Sequence, residues 1–177
     1  MSEVAEARTR NVSNVIAGAG LALGGLLGLV GTFVAARNIQ AACWAIDGVG
    51  LIVTGVVLAL KYFREGNDVI AAGFLVFSMG SGVMLVGTAT TLQASVPSFG
   101  AGTALWVAGL LLVSLPGEFA LWARLAGLIA SVLFATVSGR ILWGEQLLPT
   151  ARPFPFFAYP FLVLALVGWI WKLCRAS

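Results

Sequence analysis

Histidine is absent from the sequence, charge is scarce and cysteine occurs only twice. Without imidazole there is no axial histidine for a haem, no histidine zinc site, no histidine proton relay, and no Ser-His or Cys-His nucleophile pair. The sequence also lacks a P-loop, a dinucleotide fingerprint following a strand, and a CxxC pair. The chain is therefore read as a non-enzyme that uses no metal and no cofactor. Charged residues make up 10% of the 177 positions and hydrophobic residues 60%, whereas a soluble domain carries about 25% charged residues. Its apolar residues also fall in runs longer than about 18, the length that crosses hydrocarbon. A soluble globular domain is excluded, and a polytopic helical membrane protein is expected.

Six spans are expected, at residues 13–35, 41–62, 69–92, 99–115, 119–142 and 155–173. The breaks between them carry turn and interfacial residues: "ARNIQ", "FREGND", "SVPSFG", "LPGE" and "GEQLLPTARP". Because each connection is short, the fold class is all-α, with six transmembrane helices packed as antiparallel hairpins and no soluble domain. Residues 1–11 form a short cytoplasmic tail and residues 12–177 the membrane domain. The first apolar run exceeds the 7 to 15 residues or so of a signal peptide, so it is expected to stay as a helix.

Basic residues in short loops are held on the cytoplasmic side. One side of the six-span map collects Arg8, Arg10, Lys61, Arg64, Arg124, Lys172 and Arg175, and the other only Arg37, Arg140 and Arg152. Both termini are thus expected in the cytoplasm, with the chain in a cell membrane, a bacterial inner membrane in particular. The net charge of +3 reflects these flanking residues and gives no reason to expect nucleic acid. The lipid bilayer is the expected environment. Cys43 and Cys174 fall at opposite ends of the map, about 30 Å apart, too far to form a disulfide within one chain. Trp106 lies too deep for an interfacial aromatic belt.

Glycine is abundant and patterned. Gly20, Gly24 and Gly28 repeat every four residues in the first helix, and Gly73, Gly80 and Gly87 every seven in the third. Both spacings place hydrogen in place of a side chain along one helix face, so a second helix can approach closely. The seams are expected to pack within the bundle or to support a homo-oligomer or a larger membrane complex.

One carboxylate interrupts the second span. Asp47 is the only charged residue between Asn38 and Leu60, about 8 to 9 Å from the expected outer end at 1.5 Å per residue. An acid within hydrocarbon needs a partner or a cavity. The first expectation is a clamp to Arg140, which falls at a similar height at the end of the fifth helix. The alternative is a proton or cation site with Thr54 two turns inward. The leading functional expectation is a non-enzymatic inner-membrane protein acting through helix packing, as an oligomer or accessory subunit. The alternative is a small channel or transporter for protons, cations or a small solute, with its polar site at Asp47, Thr54 and Arg140.

Overall fold

The computed structural model describes residues 2–175, with side chains described from Val12 onward. The expectations for the side chains of Arg8 and Arg10 lie outside the described residues. Six helices make up the fold: α1 (Ser2–Phe33), α2 (Arg37–Arg64), α3 (Asp68–Thr88), α4 (Val96–Ser114), α5 (Leu121–Leu142) and α6 (Tyr159–Arg175). No strand occurs among the described residues. Helices α1 to α5 are each long and apolar enough to cross a membrane. Helix α6 has 17 residues, roughly 25 Å at 1.5 Å per residue, near the lower limit for a span. Val15, Val86 and Val132 on α1, α3 and α5 are 69%, 69% and 66% exposed. Such residues belong against lipid, and the chain is a membrane protein.

Local chemistry sets the helix ends. Gly66 takes the left-handed conformation at φ 75°, the Asn67 side chain accepts a hydrogen bond from the Ile70 N–H at 3.4 Å, and Asp68 stands in the first turn of α3. This sequence of turn glycine, cap and acid starts a helix immediately after the turn. Residues 96–98, expected in a loop, instead open α4, because Pro97 fits the first turn, where its missing N–H costs nothing. Pro160 sits likewise in the first turn of α6. Arg124 donates to the carbonyls of Ser114 at 2.9 Å and Leu115 at 2.7 Å, closing the end of α4 from the start of α5.

Each helix touches its neighbours in sequence, and α6 also touches α1, so the six form a closed ring. Contacts between α1 and α2 run in opposite sequence order: Gly31 meets Trp44, Gly28 meets Asp47, Gly24 meets Leu51 and Gly20 meets Thr54. A methyl group added at Gly24 would lie 2.6 Å from Leu51 Cδ2. The second seam faces α4. A Cβ at Gly80 would lie 2.7 Å from the Gly102 carbonyl, one at Gly73 3.1 Å from the Gly109 carbonyl, and one at Gly87 2.7 Å from Ser98 Oγ. Gly102 and Gly109 thus mirror the seven-residue spacing of α3. Both sets of glycines are used within the chain.

Aromatic rings fill the ring's interior toward the end that carries Lys61, Arg124 and Lys172. Tyr62 stacks on Phe74 with centroids 5.6 Å apart, Phe74 meets Trp169 edge to face at 4.9 Å, and Phe77 stacks on Trp106 at 5.2 Å. Trp106 is core, and its indole N–H donates to Ser81 Oγ at 3.0 Å, which accounts for its depth. Cys43 and Cys174 are both free.

Space at the glycine positions differs enough to rank substitutions. Gly80→Ala is expected to lower stability by about 1–3 kcal/mol, since its neighbour is backbone that cannot turn aside. Gly18, with nothing within 4 Å of an added Cβ, should accept alanine at no cost or gain up to about 1 kcal/mol from helix propensity. Thermal melts of both variants in mild detergent check the order.

Candidate functional site

The half of the ring opposite the aromatic packing holds a second, smaller core cluster of Phe99, Val137 and Leu147, with open space beside it. A cavity of about 90 Å³ lies there, walled by α1, α2, α3, α4 and α6, by Ser95 just before α4 and by Pro149 of the connection before α6. Glycine makes the space on one side: Gly24, Gly25 and Gly28 of α1 and Gly48 of α2 carry no side chain to occupy it. Leu51, Leu166 and Trp106 form deeper wall, while Arg37, Thr88, Ser95 and Pro149 mark its mouth.

Asp47 lines this cavity. Its carboxylate lies against α1, where a Cβ at Gly28 would sit 2.8 Å from Oδ2 and one at Gly24 3.2 Å from Oδ1. The carboxylate is therefore admitted by a glycine face, and any larger residue at Gly28 would push it aside. Among the described residues no hydrogen-bond donor or cation pairs with Asp47.

The expected clamp does not form. Arg140 pairs with Glu145 at 2.7 Å, with both side chains substantially exposed. The reason is topological: α2 packs on α1 and α3, α5 packs on α4 and α6, and the two helices do not touch. Similar depth in the sequence map gave no information about which helices are neighbours. Thr54 also lies apart from Asp47. Its hydroxyl donates to the Ala17 carbonyl at 3.2 Å in the α1–α2 interface and does not line the cavity. Of the three polar residues singled out, the cavity holds only Asp47.

Other residues take the places expected of Thr54 and Arg140. Arg37, at the start of α2, donates to Gln40 Oε1 at 3.0 Å and to the Thr90 carbonyl at 2.6 Å, and its guanidinium lies 5.9 Å from the Trp44 ring centroid. Gln40 is buried and in turn donates to the Gly31 carbonyl at 3.1 Å. Arg37 thereby ties the connection between α3 and α4 across the mouth, with an open depression formed by residues 89–93 on its far side. Tyr159, at the start of α6, lines the cavity and donates its hydroxyl to the Pro149 carbonyl at 3.1 Å. Trp44 donates to the Gly28 carbonyl at 3.3 Å. In the sequence these look like interfacial anchors, and only the ring closure turns them inward.

At the opposite end the basic residues are engaged by protein. Lys61 donates to Asn14 Oδ1 at 2.9 Å, and Lys172 pairs with Glu118 at 2.7 Å. No group of three or more His, Cys, Asp or Glu that could hold a metal occurs among the described residues.

No protein-family model, curated protein or solved structure matches this chain. Its chemistry is read from the cavity itself: an acid, an aromatic and aliphatic lining, and a mouth crossed by one arginine.

Because Asp47 and Arg140 do not touch, Asp47→Asn and Arg140→Gln should act independently. Asp47→Asn, which removes an unpaired carboxylate, is expected not to lower the melting temperature. Arg140→Gln breaks an exposed pair worth little, and the double variant should show the sum of the single effects. Melting curves of the three variants in one detergent provide the check.

Proposed function

We propose that this chain is a small carrier in a cell membrane, a bacterial inner membrane in particular, and that its cavity takes up a small solute or ion with Asp47 as the charged determinant. One observation carries this reading: an acid without a partner faces a cavity inside a ring of membrane helices. An intramembrane carboxylate is costly wherever it is placed, and one held solely for packing is better neutralised by a neighbouring base. Here the nearest arginine on the same helix is bound elsewhere, and glycines keep room in front of the acid.

The carrier crosses the membrane six times as antiparallel hairpins, with both termini in the cytoplasm. Support comes from the opposed order of the α1–α2 contacts and from the gathering of lysine and arginine at one end of the map. The cavity mouth then faces outward, and the aromatic packing around Phe77, Trp106 and Trp169 closes the cytoplasmic half. One-sided access to an internal site is one of the states through which an alternating-access carrier passes.

A role in helix packing alone, as an oligomer or accessory subunit, ranks second. The glycine seams that motivated it meet helices of the same chain, so an oligomer would have to form on other surface.

Two measurements test the proposal. In liposomes the parent protein is expected to support a pH-driven flux that Asp47→Asn abolishes while the variant keeps its fold; absence of flux in the parent would overturn the carrier reading in favour of packing. Reporter fusions after Leu92 and at the C-terminus should report opposite sides of the membrane, and a common side would break the six-span map.

A further inference from the structure

The lining of the cavity restricts what can occupy it. We infer that the site accepts a small organic ammonium ion, its nitrogen bound by Asp47 and its apolar body held against the aromatic and aliphatic wall. This rests on the reading of the cavity as a solute site and names the solute's chemistry.

Four classes of ligand compete, and the wall separates them. A hard metal ion wants about six oxygen ligands, with near-octahedral geometry for the smaller ions. The lining offers one carboxylate, and the hydroxyls of Ser81, Thr88, Ser95 and Tyr159 each donate to a backbone carbonyl. These hydroxyls are neutral, so Asp47 is the one charged oxygen ligand that the described lining provides. A bare proton needs no cavity, and the one hydroxyl two turns inward from Asp47, on Thr54, is turned toward α1. An anion meets Asp47 as a like charge, and Arg37, the one cation among the described lining residues, stands ten residues away at the mouth. A neutral apolar molecule would leave the carboxylate buried beside it without a donor, at a cost in free energy.

An ammonium ion meets every part of the site. Its N–H groups supply charge-assisted hydrogen bonds to Asp47. The rings of Trp44, Phe99, Tyr159 and Trp106 line the same cavity, and aromatic faces attract a cation within about 6 Å of the ring. Leu51, Leu162 and Leu166 accept the hydrocarbon part. At about 90 Å³ the cavity is smaller than the roughly 150 Å³ that holds benzene, so the body is limited to about four or five heavy atoms. Arg37 stands ten residues before Asp47, about 15 Å along α2, at the mouth of the cavity.

The probe is n-butylammonium chloride, titrated into the full-length protein in detergent and followed by tryptophan fluorescence and melting temperature. n-Butanol, sodium butyrate and sodium chloride are titrated in parallel. A saturable response to n-butylammonium alone is expected, at least about tenfold weaker in Asp47→Asn and lost in Val163→Trp, which fills the cavity and leaves the acid in place. An equal response to n-butanol, a stronger one to sodium, or undiminished n-butylammonium binding in Asp47→Asn would overturn the inference, as would full binding by Val163→Trp should the Asn variant not fold. The liposome assay separates this inference from the carrier reading. Saturable n-butylammonium binding without any flux keeps the ammonium site and removes transport. Asp47-dependent proton flux that n-butylammonium neither drives nor inhibits keeps transport and removes the ammonium site.

Discussion

Close approach of helix backbones is the condition on which this bundle rests. Lipid tails are as apolar as leucine, so helices in a membrane gain little from hiding hydrocarbon and must gain instead from contact at short range. Gly20, Gly24 and Gly28 let α2 lie against α1, and Gly73 and Gly80 do the same for α4 against α3, answered there by Gly109 and Gly102. The first seam has a second effect. Where it meets Asp47 it leaves room for a carboxylate, so one row of missing side chains both joins two helices and shapes the site between them.

Polar atoms inside such a bundle have to be satisfied by the bundle. Most are satisfied locally: Thr32, Ser81, Thr103 and Ser138 each donate to the carbonyl four residues earlier on their own helix. That habit makes hydroxyls cheap in hydrocarbon, while Thr54, Ser78 and Ser131 donate instead to carbonyls of a neighbouring helix. Two groups have neither kind of partner among the described residues. Ser114 Oγ is buried without a partner among the described residues, beside the arginine that takes its own carbonyl. Asp47 is the other, and it alone has a cavity in front of it.

Helix number, the helical class and both glycine faces were legible in the sequence, because each is written in a period along one segment. The cap at Asn67 and the turn at Gly66 were marked by the string "FREGND". What could not be read was which helix stands beside which. Depth is shared by every helix that crosses at that height, so it does not select Arg140 as the partner of Asp47; α2 and α5 are not neighbours in the ring, and Arg140 pairs locally with Glu145, five residues on. Gly102 and Gly109 show the same limit, since their meaning appears only when set against Gly80 and Gly73. Arg37 and Tyr159 carried no signal beyond that of residues at a helix end.

The aromatic packing below the cavity sets the terms on which anything could pass from one face of the membrane to the other. Phe77 is stacked on Trp106 and meets Trp169 edge to face at 5.6 Å, while Trp106 meets Phe134 at 5.4 Å. Each such pair is worth about 0.5–1.5 kcal/mol beyond its buried area. Opening a way through the floor means separating several of these at once and breaking the bond from Trp106 to Ser81. The ring pairs alone make that cost several kcal/mol, before the loss of buried apolar area is counted.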